Sequence, residues 1–415
     1  MKRIALLLAL SGCSLAIGDI ELSAERPDRA GMDAVVDAAP ADGQVDATVA
    51  DAQVADTQVA DAQALDAAWD AQPPPDVSLL DAAVDAAEPD AGPWEVSALA
   101  GTWHVYALTG GRRQVQVRNA ALQIDPDGTA IITDLGSDAP LSDAATPLGA
   151  HPDRPSLVRT NLFPIAGLLI GTIDARSGLG VLVNDVEAGN SQAALVVLVQ
   201  EKPEPPWPDQ VLYTHMRTQP AEQGELGVLV AQGGQHVATR RVQVGESPVA
   251  LPDRAFNLNR EAHGRVAFLP PDDGERVVAS PAPEGSGGPG LFEVGGGPVG
   301  LTLALRGGGT VAGAQRFFCG GAYFDETAAF VAAGTTGTLR PVDPHPELTF
   351  PDGRRLVLTS VGDGFLRIQT PRNFFHRADG GGALDATGRA LLMIDGDLAQ
   401  GTGRWAGALC VALGG

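Results

Sequence analysis

The chain has 415 residues, of which 44% are hydrophobic, 5% aromatic and 19% charged, and its formal net charge at pH 7 is −23. This length is enough for two or three folded domains. The chain lacks the basic patch of a nucleic-acid-binding protein, and its excess of acidic residues repels other polyanions. We therefore expect no nucleic-acid partner.

The first 13 residues have the parts of a bacterial export signal. Lys2 and Arg3 precede an apolar run over residues 4–10, and Leu10-Ser11-Gly12-Cys13 spans its end. This ending resembles the lipobox of bacterial lipoproteins. The resemblance implies that residues 1–12 are a signal peptide and that Cys13 becomes the lipid-bearing N-terminus, held in the membrane by several acyl chains. The run is too short for a transmembrane helix, which needs roughly 20 apolar residues.

The resemblance also implies a location in the cell envelope. Ser14 stands where an inner-membrane retention signal would place Asp. We therefore expect a lipid-anchored protein of the outer membrane. Its partner is the membrane itself, which it binds through the lipid on Cys13.

Residues 13–93 are expected to form a disordered acidic tether behind the anchor. Residues 19–93 hold 18 acidic and two basic residues, and Asp recurs every four to six positions between Ala and Val. Calcium loops place carboxylates at alternate positions with a turn glycine, and the Asp spacing here is too wide for that. One-sign charge and few aromatic residues favour disorder. As a flexible coil, the tether would hold the rest of the chain on the order of 50 Å from the membrane.

Residues 94–415 are predicted to fold as an all-β protein. Short alternating runs, such as residues 130–133, 226–230 and 301–305, are separated by Gly, Pro and Asp clusters. This pattern is typical of antiparallel barrels and sandwiches, and the many glycines and prolines disfavour helices. We expect two or three repeated units, with boundaries at 94–208, 209–308 and 309–415.

Internal similarity supports these repeated units. Residues 122–128 (LQIDPDG) resemble residues 348–353 (LTFPDG), with a fainter copy at 258–264. Residues 171–175 (GTIDA) resemble residues 382–386 (GALDA), each followed by two further apolar runs. Because self-similarity at a fixed period indicates repeated architecture, we expect about eight strands in each unit of roughly 100 residues.

The motif Gly101-Thr102-Trp103 resembles the Gly-x-Trp opening of lipocalin-like barrels. The resemblance covers these few residues of the first unit, and the arginine that such barrels often carry on their last strand is missing. It implies closed eight-stranded barrels that can hold one small ligand. Trp103 is then expected to be a structural plug, because a Trp at the start of a β domain usually packs in the core.

The cysteine count favours a disulfide. Once Cys13 is lipidated, Cys319 and Cys410 remain as an even pair in a compartment that we expect to be oxidising. If the third unit is a closed barrel, these cysteines lie on its first and last strands, which are neighbours. Two open alternatives are a pair of free buried thiols and a bond that joins the second unit to the third.

No arrangement of residues in the sequence indicates catalysis, a cofactor or a metal. The seven histidines are scattered and Gly-x-Ser-x-Gly is missing. The densest polar group surrounds His376 and Arg377, beside two phenylalanines. These two residues are weak ligand-binding candidates, because a titratable ring and an anion-pairing guanidinium could line a pocket. A strand end with its turn explains them equally well.

The sequence therefore predicts a binding protein of the cell envelope and not an enzyme. Its barrels would bind a small apolar ligand or a surface partner, either an envelope protein or a glycan. The alternative is a structural or adhesive lipoprotein without a ligand cavity, and a cryptic enzyme is third. The volume of any cavity inside the barrels separates the first two hypotheses.

Overall fold

The structure, a computed structural model, describes residues 95–110, 115–135, 140–141, 146–161, 167–184, 193–203, 206–218, 224–244, 249–271, 274–324, 330–362, 364–369, 379–395 and 406–414. All of them belong to one compact unit of the chain, Ala64–Gly415. The all-β prediction is confirmed, because these residues form antiparallel strands in three sheets. Their helical segments are three 3-10 turns, Val96–Leu99, Ala262–Gly264 and Pro283–Gly285. None of their helices is long and apolar enough to span a bilayer.

The first sheet has nine strands in the order β4-β3-β2-β1-β9-β8-β7-β6-β5. Only Leu148 separates the edge strands β4 and β5 in the chain, so the chain passes directly from one edge strand of the sheet to the other. The strands are β1 (Gly101–Gly110), β2 (Val115–Ile124), β3 (Thr129–Asp134), β4 (Thr146–Pro147), β5 (Gly149–His151), β6 (Arg154–Thr160), β7 (Leu169–Asp174), β8 (Leu179–Asn184) and β9 (Ala193–Gln200).

The second sheet closes into a barrel, because β11 pairs with both β10 and β12. The strand β13 pairs with one end of β12, beside the segment that pairs with β14. The strands are β10 (Gln210–Arg217), β11 (Gly224–Gln232), β12 (Gln235–Val244), β13 (Val249–Leu251), β14 (Arg254–Arg260), β15 (Val266–Leu269), β16 (Glu275–Ala279), β17 (Gly287–Val294) and β18 (Gly297–Leu305). We call it the second barrel.

The third sheet is a closed barrel of eight strands in chain order, the third barrel. Its strands are β19 (Gln315–Phe324), β20 (Phe330–Arg340), β21 (Glu347–Thr349), β22 (Arg355–Gly362), β23 (Phe365–Gln369), β24 (Asp379–Leu384), β25 (Ala390–Asp395) and β26 (Ala406–Ala412). All three sheets share one feature. The first strand of each pairs with both the second and the last, as in β1 with β2 and β9 and in β19 with β20 and β26.

The two sequence repeats fall differently on this architecture. Residues 171–175 and 382–386 begin in β7 and β24, each the third strand from the end of its sheet. Residues 122–128, 258–264 and 348–353 instead lead into the hairpins β2–β3, β14–β15 and β21–β22, which occupy different places in the three sheets. The second repeat therefore marks equivalent positions, whereas the first repeat marks a shared turn chemistry only.

Each sheet encloses its own apolar interior. The first holds Trp103, Leu122 and Ile132, the second Phe256 and Phe268, and the third Phe317, Leu348 and Met393, together with smaller residues. Alternation of side chains between the two faces of a strand accounts for this arrangement, since every second residue points inward.

A fourth apolar cluster lies between the sheets and joins them. Strands β8 and β9 are buried along nearly their whole length, because one face packs inside the first sheet and the other, with Val181 and Val197, packs in the shared cluster. Residues of the second and third barrels complete that cluster, including Leu303 and Phe318. Burial on both faces explains why these strands are continuously apolar and not alternating.

Polar contacts also cross between the sheets. Arg389 of the third barrel donates two hydrogen bonds to Asp174 of the first sheet, both 2.8 Å long, and both side chains are largely buried. The hydroxyls of Tyr106 and Ser280 lie 2.6 Å apart between the first sheet and the second barrel. The three sheets are therefore joined by polar contacts as well as by the shared apolar cluster.

Candidate functional site

One end of the second barrel has a polar interior, which we call the polar mouth. Along β10 the inward positions pass from Val211, in the apolar interior cluster, to Arg217 at the strand end. Because neighbouring strands are antiparallel, the starts of β11, β14 and β16 meet the end of β10 at this mouth. The polar mouth consists of Tyr213, His215, Arg217, Glu225, Arg241, Arg254 and Glu275.

The deepest part of the polar mouth is an ion pair with a tyrosine. Arg241 donates two hydrogen bonds to the Glu225 carboxylate, from Nε at 2.8 Å and from Nη2 at 3.0 Å, and a third to the Pro252 carbonyl at 2.8 Å. The Tyr213 hydroxyl donates to Glu225 at 2.7 Å. A Cβ on Gly227 would lie 2.7 Å from that hydroxyl oxygen, so glycine makes room for the Tyr213 ring.

Burial and pairing fix the charges of this group. Burial alone would raise the pKa of Glu225, but the hydrogen bonds from Arg241 and the other contacts outweigh it and hold that pKa below its ordinary value. Burial and the neighbouring Glu225 charge raise the pKa of Tyr213 well above its ordinary value. Glu225 is therefore an ionised acceptor and Tyr213 a neutral donor, so both partners are satisfied.

His215 lies next to this ion pair and is held neutral. One ring nitrogen, Nδ1, is 2.8 Å from the Thr302 hydroxyl, and the ring centroid lies 4.8 Å from that of Tyr213 and 4.7 Å from that of Phe292. Burial lowers the pKa of His215 to about 4. At neutral pH the ring can therefore accept or donate a hydrogen bond without carrying charge.

The outermost layer of the polar mouth is formed by two arginines that share one carboxylate. Arg217 and Arg254 donate to the two oxygens of Glu275, at 3.2 and 2.5 Å. Their guanidinium groups also lie over the rings of Phe292 and Phe256, at 4.5 and 5.6 Å. Stacking and pairing together orient both arginines.

Beneath the polar mouth, the second barrel contains a small chamber. Its apolar lining includes Trp207, Leu229, Ala238, Phe256, Phe268 and Ala304, and its free volume is about 30 Å³. A single water needs roughly 10–15 Å³ on this measure, so the chamber has room for about two or three water molecules. Pockets for drug-sized ligands have volumes of about 300–1,000 Å³. The second barrel is thus nearly filled by its own side chains.

The charged groups of the polar mouth are paired with neighbouring side chains. Its two carboxylates accept hydrogen bonds from arginines and a tyrosine, and its histidine contacts a threonine. Within the part of the chain that the structure describes, no group of three His, Cys, Asp or Glu residues could hold a metal ion. These residues provide a rigid, ion-paired end of the barrel, with three arginines and two glutamates.

The structure places Trp103, Cys319 and Cys410 apart from the polar mouth. Cys319 and Cys410 form a disulfide inside the third barrel, between the paired strands β19 and β26. The alternative bond between two units is therefore wrong. Trp103 is fully buried inside the first sheet, where its Nε1 donates to the Leu99 carbonyl at 2.9 Å. Cys13, His376 and Arg377 lie outside the described residues.

Sequence reasoning missed the polar mouth itself. The segment Tyr213-Thr214-His215-Met216-Arg217 alternates, but it is Tyr213, His215 and Arg217 that face the barrel interior. Alternation shows that a strand has two kinds of face and does not show which one points inward. The sequence nevertheless contains a signal for this site, because Tyr213, His215 and Arg217 place an aromatic or charged residue at every second position.

Comparison with known proteins gives structural similarities of low score. No protein-family model and no curated protein matches the chain. Among solved structures, two mutants of transferrin binding protein B from Haemophilus parasuis Hp5 each cover 76% of both chains, at 10% identity and TM-scores of 0.28 and 0.25. The isotype 1 protein from serogroup B Neisseria meningitidis covers 75% of both chains, at 8% identity and a TM-score of 0.24. At these scores the similarity assigns no ligand or partner to this chain.

Proposed function

We propose that this chain is a lipid-anchored protein of the cell envelope, in the outer membrane, that binds a macromolecular partner through the outer surface of its barrels. In this proposal Cys13 carries the lipid, residues 13–93 form the acidic tether, and the folded part is presented at a distance from the membrane. The partner is an envelope protein or a glycan. No catalytic step is part of the proposal.

The observation that carries this proposal is the filling of the second barrel. A lipocalin-like carrier of apolar ligands needs a cavity of several hundred Å³, and the chamber offers about 30 Å³. Side chains that fill the interior leave the outer face and the strand ends as the surfaces for a partner. The same observation favours the structural or adhesive alternative, which differs in having no dedicated partner.

The anchor is tested by metabolic labelling in a lipoprotein-producing bacterial host. The wild-type chain should incorporate an alkyne-tagged palmitate, because acylation of Cys13 would transfer the tag. Cys13→Ser should abolish labelling, whereas Cys319→Ser, the matched cysteine control, should keep it. Equal labelling of wild type and Cys13→Ser would contradict the anchor.

Partner binding is tested by photo-crosslinking in the native host. A photo-reactive amino acid is placed singly at the exposed positions Ile131, Val249, Val294 and Val342, and at buried Leu229 as the control. A dedicated partner should give a discrete crosslinked species from a subset of the exposed positions and none from Leu229. The absence of any discrete species at all four exposed positions would contradict the partner and favour the scaffold alternative.

A further inference from the structure

Trp103, at the start of the first sheet, and Trp207, before the start of the second barrel, have different surroundings. Trp103 lies within β1, is fully buried and has its Nε1 bonded to the Leu99 carbonyl. Trp207 lies before β10, in the segment that connects the first sheet to the second barrel, and is partly exposed. Its Nε1 is buried and has no hydrogen-bond partner among the residues that the structure describes. A buried donor left without a partner costs roughly 1–3 kcal/mol.

The ring of Trp207 occupies an apolar seat with an aromatic wall in the second barrel. It meets Phe268 edge to face, with the ring centroids 4.9 Å apart, and lines the chamber beside Ala238 and Phe256. Edge-to-face contacts of this kind stabilise any planar aromatic group in the same position. The Tyr213 hydroxyl bonds to Glu225, so that polar group is already satisfied and the chamber wall remains largely apolar.

Release of Trp207 would remove its apolar contacts with the interior cluster of the second barrel, which a bound aromatic molecule would replace, but would break few hydrogen bonds. The residue belongs to no strand, so its movement removes no hydrogen bond of the sheet ladder. Movement toward solvent also gives the unpartnered Nε1 access to water. These two facts lower the cost of emptying the seat, whereas Trp103 would lose a hydrogen bond and is embedded in β1.

We infer that Trp207 is a displaceable plug of the second barrel and that its seat binds a small planar aromatic molecule, of about the size of an indole, in its place. The seat and the adjoining chamber form one apolar site with an aromatic wall. This site is separate from the outer surface proposed above for a macromolecular partner. Failure of either proposal leaves the other standing.

The test is a titration of the full-length chain with 5-fluoroindole, observed by ¹⁹F NMR. Wild type should show a saturable bound signal, and hydrogen exchange of residues 201–211 should increase when the probe binds, because Trp207 leaves its seat. Trp207→Ala should bind at least tenfold more tightly, since no plug competes. Ala238→Leu should weaken binding at least tenfold by filling the chamber.

The matched control is Ala130→Leu, which enlarges a fully buried alanine inside the first sheet and should leave probe binding unchanged. If Ala238→Leu does not fold, Ala238→Val, with a smaller side chain, takes its place. Binding to Trp207→Ala without binding to wild type would overturn the inference, because Trp207 would then be a fixed core residue. Binding that ignores the Ala238 substitution would also overturn it.

Discussion

The buried ion pair in the second barrel is where a single residue should matter most for stability. The side chains of Arg241 and Glu225 are only 10% and 6% exposed. Removal of one member leaves a buried charge without its partner, which costs about 3–5 kcal/mol. Replacement of the Arg241 guanidinium should therefore lower the free energy of unfolding far more than replacement of an arginine in an exposed ion pair.

We expect Arg241→Met to lower the free energy of unfolding by about 3–5 kcal/mol in urea titrations. The control is Arg354→Met, because Arg354 pairs with Asp352 and both side chains are more than 40% exposed. Exposed pairs contribute about 0–1 kcal/mol. Equal losses for the two variants would refute the structural role of the buried pair.

The disulfide is a second place where single residues should determine stability. Cys319 and Cys410 are 91 residues apart in the chain, and a crosslink that closes a loop of this length restricts the unfolded state strongly. We expect Cys319→Ala/Cys410→Ala to be about 2–4 kcal/mol less stable than the oxidised wild type. Thermal unfolding with and without reductant measures this, and a reductant effect that persists in the double variant would contradict the assignment.

Among the elements, β8 and β19 meet at a position where only glycine fits. A Cβ on Gly320 would lie 2.5 Å from the Cγ2 atom of Val181. Close packing of the first sheet against the third barrel therefore depends on the missing side chain. Overpacking of this kind costs about 1–3 kcal/mol.

Gly320→Ala should accordingly destabilise the protein by about 1–3 kcal/mol in chemical denaturation. Gly381→Ala is the control, because Gly381 also lies in a strand of the third barrel but a Cβ added to it would have nothing within 4 Å. That variant should change stability by less than about 0.5 kcal/mol. A neutral Gly320→Ala would mean that the two elements are not in close contact.

Two buried histidines should make the packed strands sensitive to acid. Burial is the main cause that lowers the pKa of His104, in β1, to about 4 and that of His215, in β10, to about 4. The unfolded chain, with an ordinary pKa near 6.5, then binds these protons first. Stability is therefore lost as the pH falls from about 6.5 to about 4, by roughly 3 kcal/mol for each histidine at most.

The measurement is urea unfolding at several pH values between 7 and 4. The variant His104→Gln/His215→Gln should show a smaller loss of stability over this range than wild type, because the contribution of these two rings to the slope is removed while that of the other titrating groups, including His236, remains. An unchanged slope would contradict the buried, neutral state of both rings.

At this scale the sequence predicted the type of the elements and the pairing of the first and last strands of the third unit, but not which faces of the strands are buried. The alternating runs and the Gly, Pro and Asp clusters correctly indicated antiparallel strands, because those signals are local. The run of residues 194–199 instead reflects burial on both faces of β9, and only the neighbouring sheets create that second buried face. The polar mouth was missed for the same reason, since Arg217 and Glu275 meet only through barrel closure.

For the whole molecule, the shared apolar cluster makes the three sheets interdependent. Val197, Leu303 and Phe318 belong to one cluster although each comes from a different sheet, and Arg389 binds Asp174 across two of them. Exposure of any one sheet would uncover apolar surface of the others, at about 25 cal/mol for each Å².

We therefore expect the folded part of the full-length chain to unfold in one cooperative transition. Tryptophan fluorescence and far-UV circular dichroism should give the same denaturant midpoint, because coincident probes indicate a two-state process. Separate midpoints for the two probes would indicate that the barrels unfold independently.

In our proposal the second barrel is nearly filled by its own side chains and the protein binds on its outer surface. Native mass spectrometry of the unlipidated Cys13→Ser chain, purified from an oxidising host, tests the first part of this proposal and the disulfide together. We predict the same polypeptide mass under native and denaturing conditions, lighter by two hydrogen atoms than the reduced chain. A lipid-sized molecule retained only under native conditions would contradict the proposal, because about 30 Å³ of free volume in the second barrel could not hold one.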